Sequence, residues 1–153
     1  MTQWGLPTSL PIDGGTNKVA PIWIRFFNDL SAAVSSSNDV YDIGVYYGGK
    51  PMSNMVMLRF TFPRSVNFVA NFAGSRGFCN TAPTNYGNFM ISQINTTGYT
   101  INIGMMQFSP STNIANFNTV AVNFVAGDKL IVRNSYPKDS SMNQISFTLT
   151  GSR

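Results

Sequence analysis

The strongest constraint on the fold of this chain is a change in the spacing of its apolar residues near residue 40. From about Val40 onward, apolar and polar residues alternate with a period of two, and turn-forming residues recur every eight to twelve positions. Ile101, Ile103 and Met105, for example, alternate with small or polar residues. This pattern is typical of short antiparallel strands with one buried face. Eight or nine such segments in about 110 residues predict a mostly β fold, a jelly-roll-like antiparallel β-sandwich.

Clusters of Gly, Pro, Asn and Ser separate the predicted strands. These strands span residues 41–47, 55–62, 66–72, 88–94, 99–108, 114–118, 120–124, 130–133 and 144–150. The stretch 73–87, AGSRGFCNTAPTNYG, shows no clear alternation and is predicted to be a long irregular loop.

The segment before the strands has the periodicity of a helix. Over residues 21–34, Ile22, Phe26, Phe27 and Leu30 recur on one face with a period of 3.6, and Trp23 widens that face. We therefore expect one amphipathic helix. A helix of about fourteen residues is marginal alone, so its apolar face needs cover. That cover is either the following domain or symmetry-related copies in an oligomer.

The first 20 residues predict an extended arm, because two prolines and a Gly-Gly pair disfavour regular structure. Apolar side chains such as Trp4 and Leu6 either fold back on the main domain or dock onto another protein. The chain is thus expected to have an N-terminal anchor arm and helix, 1–38, and a β-sandwich domain, 39–153. The residues expected to serve assembly are Trp4, Leu6, Ile22, Trp23, Phe26, Phe27 and Leu30.

The composition excludes several kinds of catalytic and metal site. Only 10% of residues are charged, against roughly 25% in typical soluble proteins, and there is no Glu and no His. A Ser-His-Asp triad, a His-ligated zinc and a Glu general base are therefore impossible. The single cysteine, Cys79, cannot form an internal disulfide and is predicted to be a small buried apolar group. We expect no enzyme activity, no cofactor and no metal.

All six carboxylates are Asp side chains. Asp128 and Asp139 lie in predicted turns, where Asp commonly bonds the local backbone. A depolymerising enzyme would instead require Asp39, Asp42, Asp128 or Asp139 to gather in a groove. The net charge of +4 comes without a basic cluster, and no apolar run reaches the length of a membrane span. Nucleic-acid binding and membrane insertion are therefore not expected, and the start shows no signal-peptide pattern.

The tyrosines are candidates for a recognition surface. Tyr47, Tyr86, Tyr99 and Tyr136 fall at predicted strand ends or in loops, among Asn, Ser and Thr. Tyrosine with small amides and hydroxyls is typical of adaptable surfaces that bind sugars or proteins. The alternative is that each tyrosine caps the core and leaves its hydroxyl at the surface.

Five short motifs follow one another in the second part of the chain: Asp42-Ile43-Gly44, Gly49-Lys50-Pro51, Gly74-Ser75-Arg76, Ala82-Pro83-Thr84 and Ala126-Gly127-Asp128. This ordered set, over about residues 40–151, resembles a C-terminal domain that recurs in phage and prophage tail-fibre and related virion proteins. Residues 1–38 look like the opening of short phage structural proteins.

The resemblance implies a phage virion structural protein, assembled in the host cytoplasm. It would be a tail fibre or tail appendage with a β-sandwich head that attaches to a host-surface glycan or protein. The arm and helix would bind other virion proteins and associate copies, with a homotrimer expected. The chain is shorter than typical fibres and shows no shaft sequence, which favours a compact appendage. The alternatives are a capsid decoration or head-fibre protein and a free carbohydrate-binding module.

Overall fold

The structure, a computed structural model, describes residues 21–35, 40–135 and 139–153, with the side chains of 23–31 within the helix. The chain separates into two compact units, Met1–Asn38 and Asp39–Arg153. Trp4, Leu6, Tyr136, Asp39 and the predicted arm lie outside the described residues, as does the side chain of Ile22.

In the first unit, helix α1 spans Pro21–Ser35. It begins at a proline, whose fixed φ suits the first helical turn. The rings of Trp23, Phe26 and Phe27 contact one another, with centroids 5.6–5.9 Å apart. Phe27 is 50% exposed and Leu30 is 42% exposed. The predicted helix is therefore present, and its apolar face remains partly open to solvent.

Over residues 40–135 and 139–153, the second unit has ten strands in two antiparallel sheets. Sheet A has the order β1-β10-β3-β8, with β4 also paired to β10, and sheet B has the order β2-β9-β5-β6-β7. The strands are β1 Val40–Tyr47, β2 Val56–Thr61, β3 Val66–Phe68, β4 Arg76–Thr81, β5 Gly87–Ile94, β6 Thr100–Phe108, β7 Ala115–Thr119, β8 Val122–Phe124, β9 Lys129–Asn134 and β10 Asn143–Ser152.

The strand pairing is nested about the β5–β6 hairpin. β3 pairs with β8, β2 with β9 and β1 with β10, so the chain runs as one long hairpin folded over itself. Nested pairs divided between two sheets form a jelly roll. The predicted jelly-roll-like sandwich preceded by a helix is confirmed.

One apolar core lies between the two sheets. β10 shows its construction, because Ile145, Phe147 and Leu149 are buried while the residues between them face outward. Phenylalanines fill much of the interior, and the rings of Phe62 and Phe124 stack with centroids 4.3 Å apart. Fully burying one such side chain contributes about 1.5–3 kcal/mol. Among the described residues, the buried core lies within 43–149.

The prediction of an irregular loop over 73–87 is wrong in part, because this stretch contains strand β4. β4 pairs with β10 from Asn143 to Thr148. Its inward residues are Gly77 and Cys79, and a Cβ at Gly77 would lie only 2.7 Å from the Cβ of Ala115. The tight packing against β7 requires a small residue at this position. The strand therefore lacks the large apolar residues that would have made its alternation visible.

Two other predicted alternations are interrupted. The predicted strand 66–72 ends at Phe68 and is followed by a 3₁₀ turn, Ala70–Phe72, in which Asn71 has a φ of 57°. In β6, Met105 is 37% exposed and Met106 is fully buried, opposite to the predicted alternation. The pairing of β5 with β6 shifts by one residue next to Gly104, and this bulge reverses the face.

Candidate binding surface

The described carboxylates do not form a shared site. Asp42 is exposed on β1, Asp128 is buried in the turn before β9, and Asp139 is buried in the loop before β10. Within residues 21–35, 40–135 and 139–153, no group of three Asp, Glu, His or Cys side chains could hold a metal ion. Two of these carboxylates instead have clear structural roles.

Asp139 connects two loops through both carboxylate oxygens. Oδ2 accepts hydrogen bonds from the backbone N–H groups of Thr84 and Asn85, at 3.1 and 2.9 Å. Oδ1 accepts from the backbone N–H groups of Ser141 and Met142 and from the Ser141 hydroxyl. Burial acts to raise the pKa of Asp139, but the hydrogen bonds from Ser141, Asn85 and Met142 outweigh it and hold that pKa well below its usual range.

Asp128 closes the turn between β8 and β9. Its Oδ2 accepts hydrogen bonds from the Val125 backbone N–H at 3.1 Å and from the Gln93 side chain at 2.6 Å. The expected bond to the local backbone is therefore present in both turns, and each carboxylate also accepts from a distant segment.

Cys79 is fully buried on the inner face of β4, as predicted. Burial, assisted by the negative charge of Asp139, raises the pKa of the thiol. The protonated form therefore dominates at neutral pH, and the thiolate needed for nucleophilic attack is disfavoured.

The structure does not bring the candidate tyrosines together. Tyr86 precedes β5 and Tyr99 lies in the hairpin after it, so the two exposed rings are at opposite ends of an eight-residue strand. At about 3.3 Å per residue, that strand separates them by more than 20 Å. Tyr47 is half-buried, with its ring packed against the backbone at Gly49.

A groove lies on the outer face of sheet A. Its first section lies over β1, β10 and β4 and has a volume of about 580 Å³. Tyr46, on β1, is 70% exposed, and Phe78, on β4, is 50% exposed. Both pair in register with Ser146 on β10, so a small hydroxyl residue lies between two aromatic ones.

The next row of this first section places Thr148 between Gly44 and Arg76. The guanidinium of Arg76 donates one hydrogen bond to the Ser75 carbonyl at 2.9 Å. Of the five N–H donors of an arginine, most remain available to a ligand. Among the described residues, no carboxylate forms a salt bridge with Arg76; the salt bridge present there links Arg25 and Asp29 on α1.

A second section continues on the far side of Phe78, with a volume of about 640 Å³. Phe78 and Ile114 form the wall common to both sections and meet through an isolated antiparallel bridge. The remaining lining is polar and uncharged: Ser109, Thr112, Asn113 and Asn116. We refer to the two sections together as the Phe78 groove.

Sequence reasoning does not identify the Phe78 groove. Phe78 and Arg76 lie in the stretch predicted to be irregular, and Tyr46, which lies at the end of a predicted strand, is only one of several tyrosines near loops. The available signal is the alternation of Arg76, Phe78 and Asn80 with the small residues between them. A strand assignment from that alternation would place Phe78 and Arg76 on one outer face.

The chain matches no protein-family model and no curated protein. In the part of the chain that the structure describes, no helix is long and apolar enough to cross a membrane.

Proposed function

We propose that the chain is a phage virion structural protein, a tail appendage whose β-sandwich attaches to the host surface. Its N-terminal part binds other virion proteins and associates copies into a homotrimer. The observation that carries the proposal is a difference in apolar burial between the two units. The sandwich has its own core, whereas the helix keeps a partly exposed aromatic cluster.

The aromatic cluster supports an assembly role for α1. Trp23, Phe26 and Phe27 contact one another, and half of the Phe27 side chain is exposed. A 15-residue helix gains most of its stability from packing of its apolar face. Exposed apolar patches commonly mark interaction sites. The order of the phage-like motifs along the chain supports other virion proteins as the partners.

The sandwich supports the role of an outward-facing head. Jelly rolls occur in viral capsid and lectin domains, although a fold does not by itself determine a function. The Phe78 groove adds a specific surface, with exposed aromatic walls and neutral polar groups. A capsid decoration role uses the same two parts, and the position of the protein on the particle separates the two roles.

The anchor proposal is tested by incorporation into particles that lack the endogenous protein. The Phe27→Asn and Leu30→Asn double variant is compared with a matched control on the same helix, Arg25→Gln with Asp29→Asn. We expect the first pair to reduce copy number in purified particles at least about tenfold, because a desolvated apolar contact is lost. The control removes only an exposed ion pair at 4.0 Å and should incorporate normally.

An electron-microscopy map of intact particles gives the location and copy number, and native mass measurement gives the oligomeric state. A stable monomer at micromolar concentration contradicts the trimer. Equal incorporation of both double variants contradicts the anchor.

The groove also favours a second function, a free carbohydrate-binding module. In that case the purified protein binds glycan, no particle contains it, and residues 1–38 are dispensable for its action.

A further inference from the structure

We infer that the Phe78 groove binds an acidic saccharide, with a sugar ring between Tyr46 and Phe78 and a sugar carboxylate on Arg76. This inference rests on the proposed attachment role and names its ligand class. A uronic acid polymer has the required chemistry, because each unit combines apolar C–H faces, hydroxyl groups and one carboxylate.

The strands that carry the two aromatic residues are spaced widely enough for one sugar ring. Tyr46 and Phe78 are separated by one intervening strand, which places their backbones about 9.5 Å apart at normal strand spacing. Two stacked contacts at carbon–carbon optimum need about 7–8 Å. Ser146 and Thr148, on the intervening strand, form the floor between the walls. Beside Thr148, a Cβ built at Gly44 would have no atom beyond its chain neighbours within 4 Å. Small floor residues leave this space open.

The lining matches a saccharide better than a wholly apolar partner. Tyr46, Phe78 and Ile114 offer exposed apolar surface, with Ile114 65% exposed. The hydroxyls of Ser146 and Thr148 lie between these walls, and covering them with an apolar surface would leave buried polar groups without partners. Sugar hydroxyls can hydrogen-bond to these groups while the C–H faces contact the rings.

The charge of the groove selects for an anion. Arg76 is the charged residue among those that line the two sections, and no carboxylate of the described residues lines either one. The nearest acidic residue on the same face is Asp42, which pairs with Thr150 one row beyond Gly44. Guanidinium–carboxylate pairs form short, charge-assisted hydrogen bonds. Arg76 is held by Ser75, so less rotational freedom is lost on binding.

The second section favours a polymer over a single sugar. It begins at Phe78 and Ile114 and continues with the neutral side chains of Asn113 and Asn116. Its volume of about 640 Å³ is close to that of the first section. We therefore expect neighbouring units of one chain to occupy the two sections.

The test measures binding to the purified full-length protein by isothermal titration calorimetry. The probes are four uronate oligomers, made of mannuronate, guluronate, galacturonate and glucuronate units, each paired with its carboxyl-reduced neutral form. We expect at least one uronate to bind, and its reduced form to bind about tenfold or more weakly because a charge-assisted contact is lost.

Two pairs of variants locate the site. Phe78→Ala should weaken binding of that uronate about tenfold or more, whereas Val120→Ala, which truncates an exposed apolar residue elsewhere, should leave it unchanged. Arg76→Gln should bind the uronate and its reduced form equally. Arg59→Gln removes an exposed arginine from a strand of sheet B. This variant should still bind the uronate more tightly than its reduced form. Circular dichroism verifies that each variant is folded.

The absence of binding by all four uronates overturns the inference, as does binding that Phe78→Ala and Arg76→Gln leave unchanged. A loss of oligomer mass in Phe78→Ala without any glycan binding assigns the groove to contact between copies and also overturns it. These outcomes are independent of particle incorporation. A protein that incorporates but binds no uronate retains the virion role and loses only this ligand.

Discussion

Asp139 shows at the residue scale why a buried carboxylate need not indicate catalysis. It is 5% exposed and accepts hydrogen bonds from residues on both sides of a loop-to-loop contact. Backbone N–H groups of Asn85 and Met142 point at the carboxylate and stabilise its charged form. The Asp139 carboxylate therefore serves to hold Thr84 and Asn85 against the start of β10.

This arrangement predicts a pH-dependent stability difference for Asp139→Asn. The folded pKa of Asp139 lies below its unfolded value of about 3.9, so its stabilising contribution is complete above that pH and is lost as the pH falls through the folded pKa. At pH 7 we expect the variant to be less stable by about 2 kcal/mol, since charge-assisted hydrogen bonds are replaced by neutral ones. Urea unfolding from pH 7 to pH 2.5 should show this gap narrowing below about pH 4.

The control for this series is Asp42→Asn, because Asp42 is exposed on β1. Its effect on the free energy of unfolding should stay below about 0.5 kcal/mol. A gap between wild type and Asp139→Asn that is equal at pH 7 and pH 3 would contradict the assigned role.

At the element scale, Asn113 joins sheet A to sheet B beside β4. Its side-chain amide donates to the carbonyls of Cys79 and Asn80, at 2.6 and 3.0 Å. Its main-chain carbonyl accepts from the Cys79 N–H at 2.9 Å. The free edge of β4 is thus covered by a side chain and one backbone bond.

Replacement of Asn113 by Asp tests whether its side-chain amide stabilises the fold by donating hydrogen bonds and not only by packing. The carboxylate cannot donate and would face two carbonyl oxygens, so we expect Asn113→Asp to destabilise by about 2–3 kcal/mol. Asn113→Ala removes the donors without adding a charge and should cost about 1 kcal/mol. Urea denaturation measures both values. Asn116→Asp, exposed on β7, is the control, and an equal effect of Asp and Ala at position 113 would contradict the proposed join.

The elements that sequence reasoning finds are those whose periodic positions carry large apolar residues. β10, with Ile145, Phe147 and Leu149 facing inward, is predicted to within two residues at each end. β4 is not predicted from the sequence, because the small residues Gly77 and Cys79 occupy its inward positions. The core therefore leaves a clear pattern in the sequence wherever space allows large side chains.

The Phe78 groove is harder to predict because it depends on register between distant strands. Tyr46, Phe78 and Ser146 lie in one row only through the pairing of β1 and β4 with β10. A shift of one residue in either pairing would turn one aromatic wall to the inner face. A single sequence does not supply that register, so reasoning from it favours the tyrosines nearest to loops.

At the scale of the whole molecule, each of the two units has apolar contacts of its own. The aromatic cluster of α1 is formed within the helix, and the core of the sandwich is formed from residues 43–149. A protein built in this way can present a stable head while its first unit binds another surface.

This layout predicts that residues 39–153 fold without the first unit. Because the buried core of the described residues lies within this fragment, its free energy of unfolding in urea should equal that of the full chain within about 1 kcal/mol. The fragment should also keep the phenylalanine bands of the near-ultraviolet circular dichroism, which report the packing of Phe62, Phe68 and Phe124, whereas the signals of Trp4 and Trp23 are lost with the first unit. The matched control is the full chain with Phe27→Asn, which retains the helix but removes an exposed ring. If the fragment unfolds or loses several kcal/mol while this control is stable, the helix contributes to the sandwich, and its aromatic face is not free to serve as an anchor.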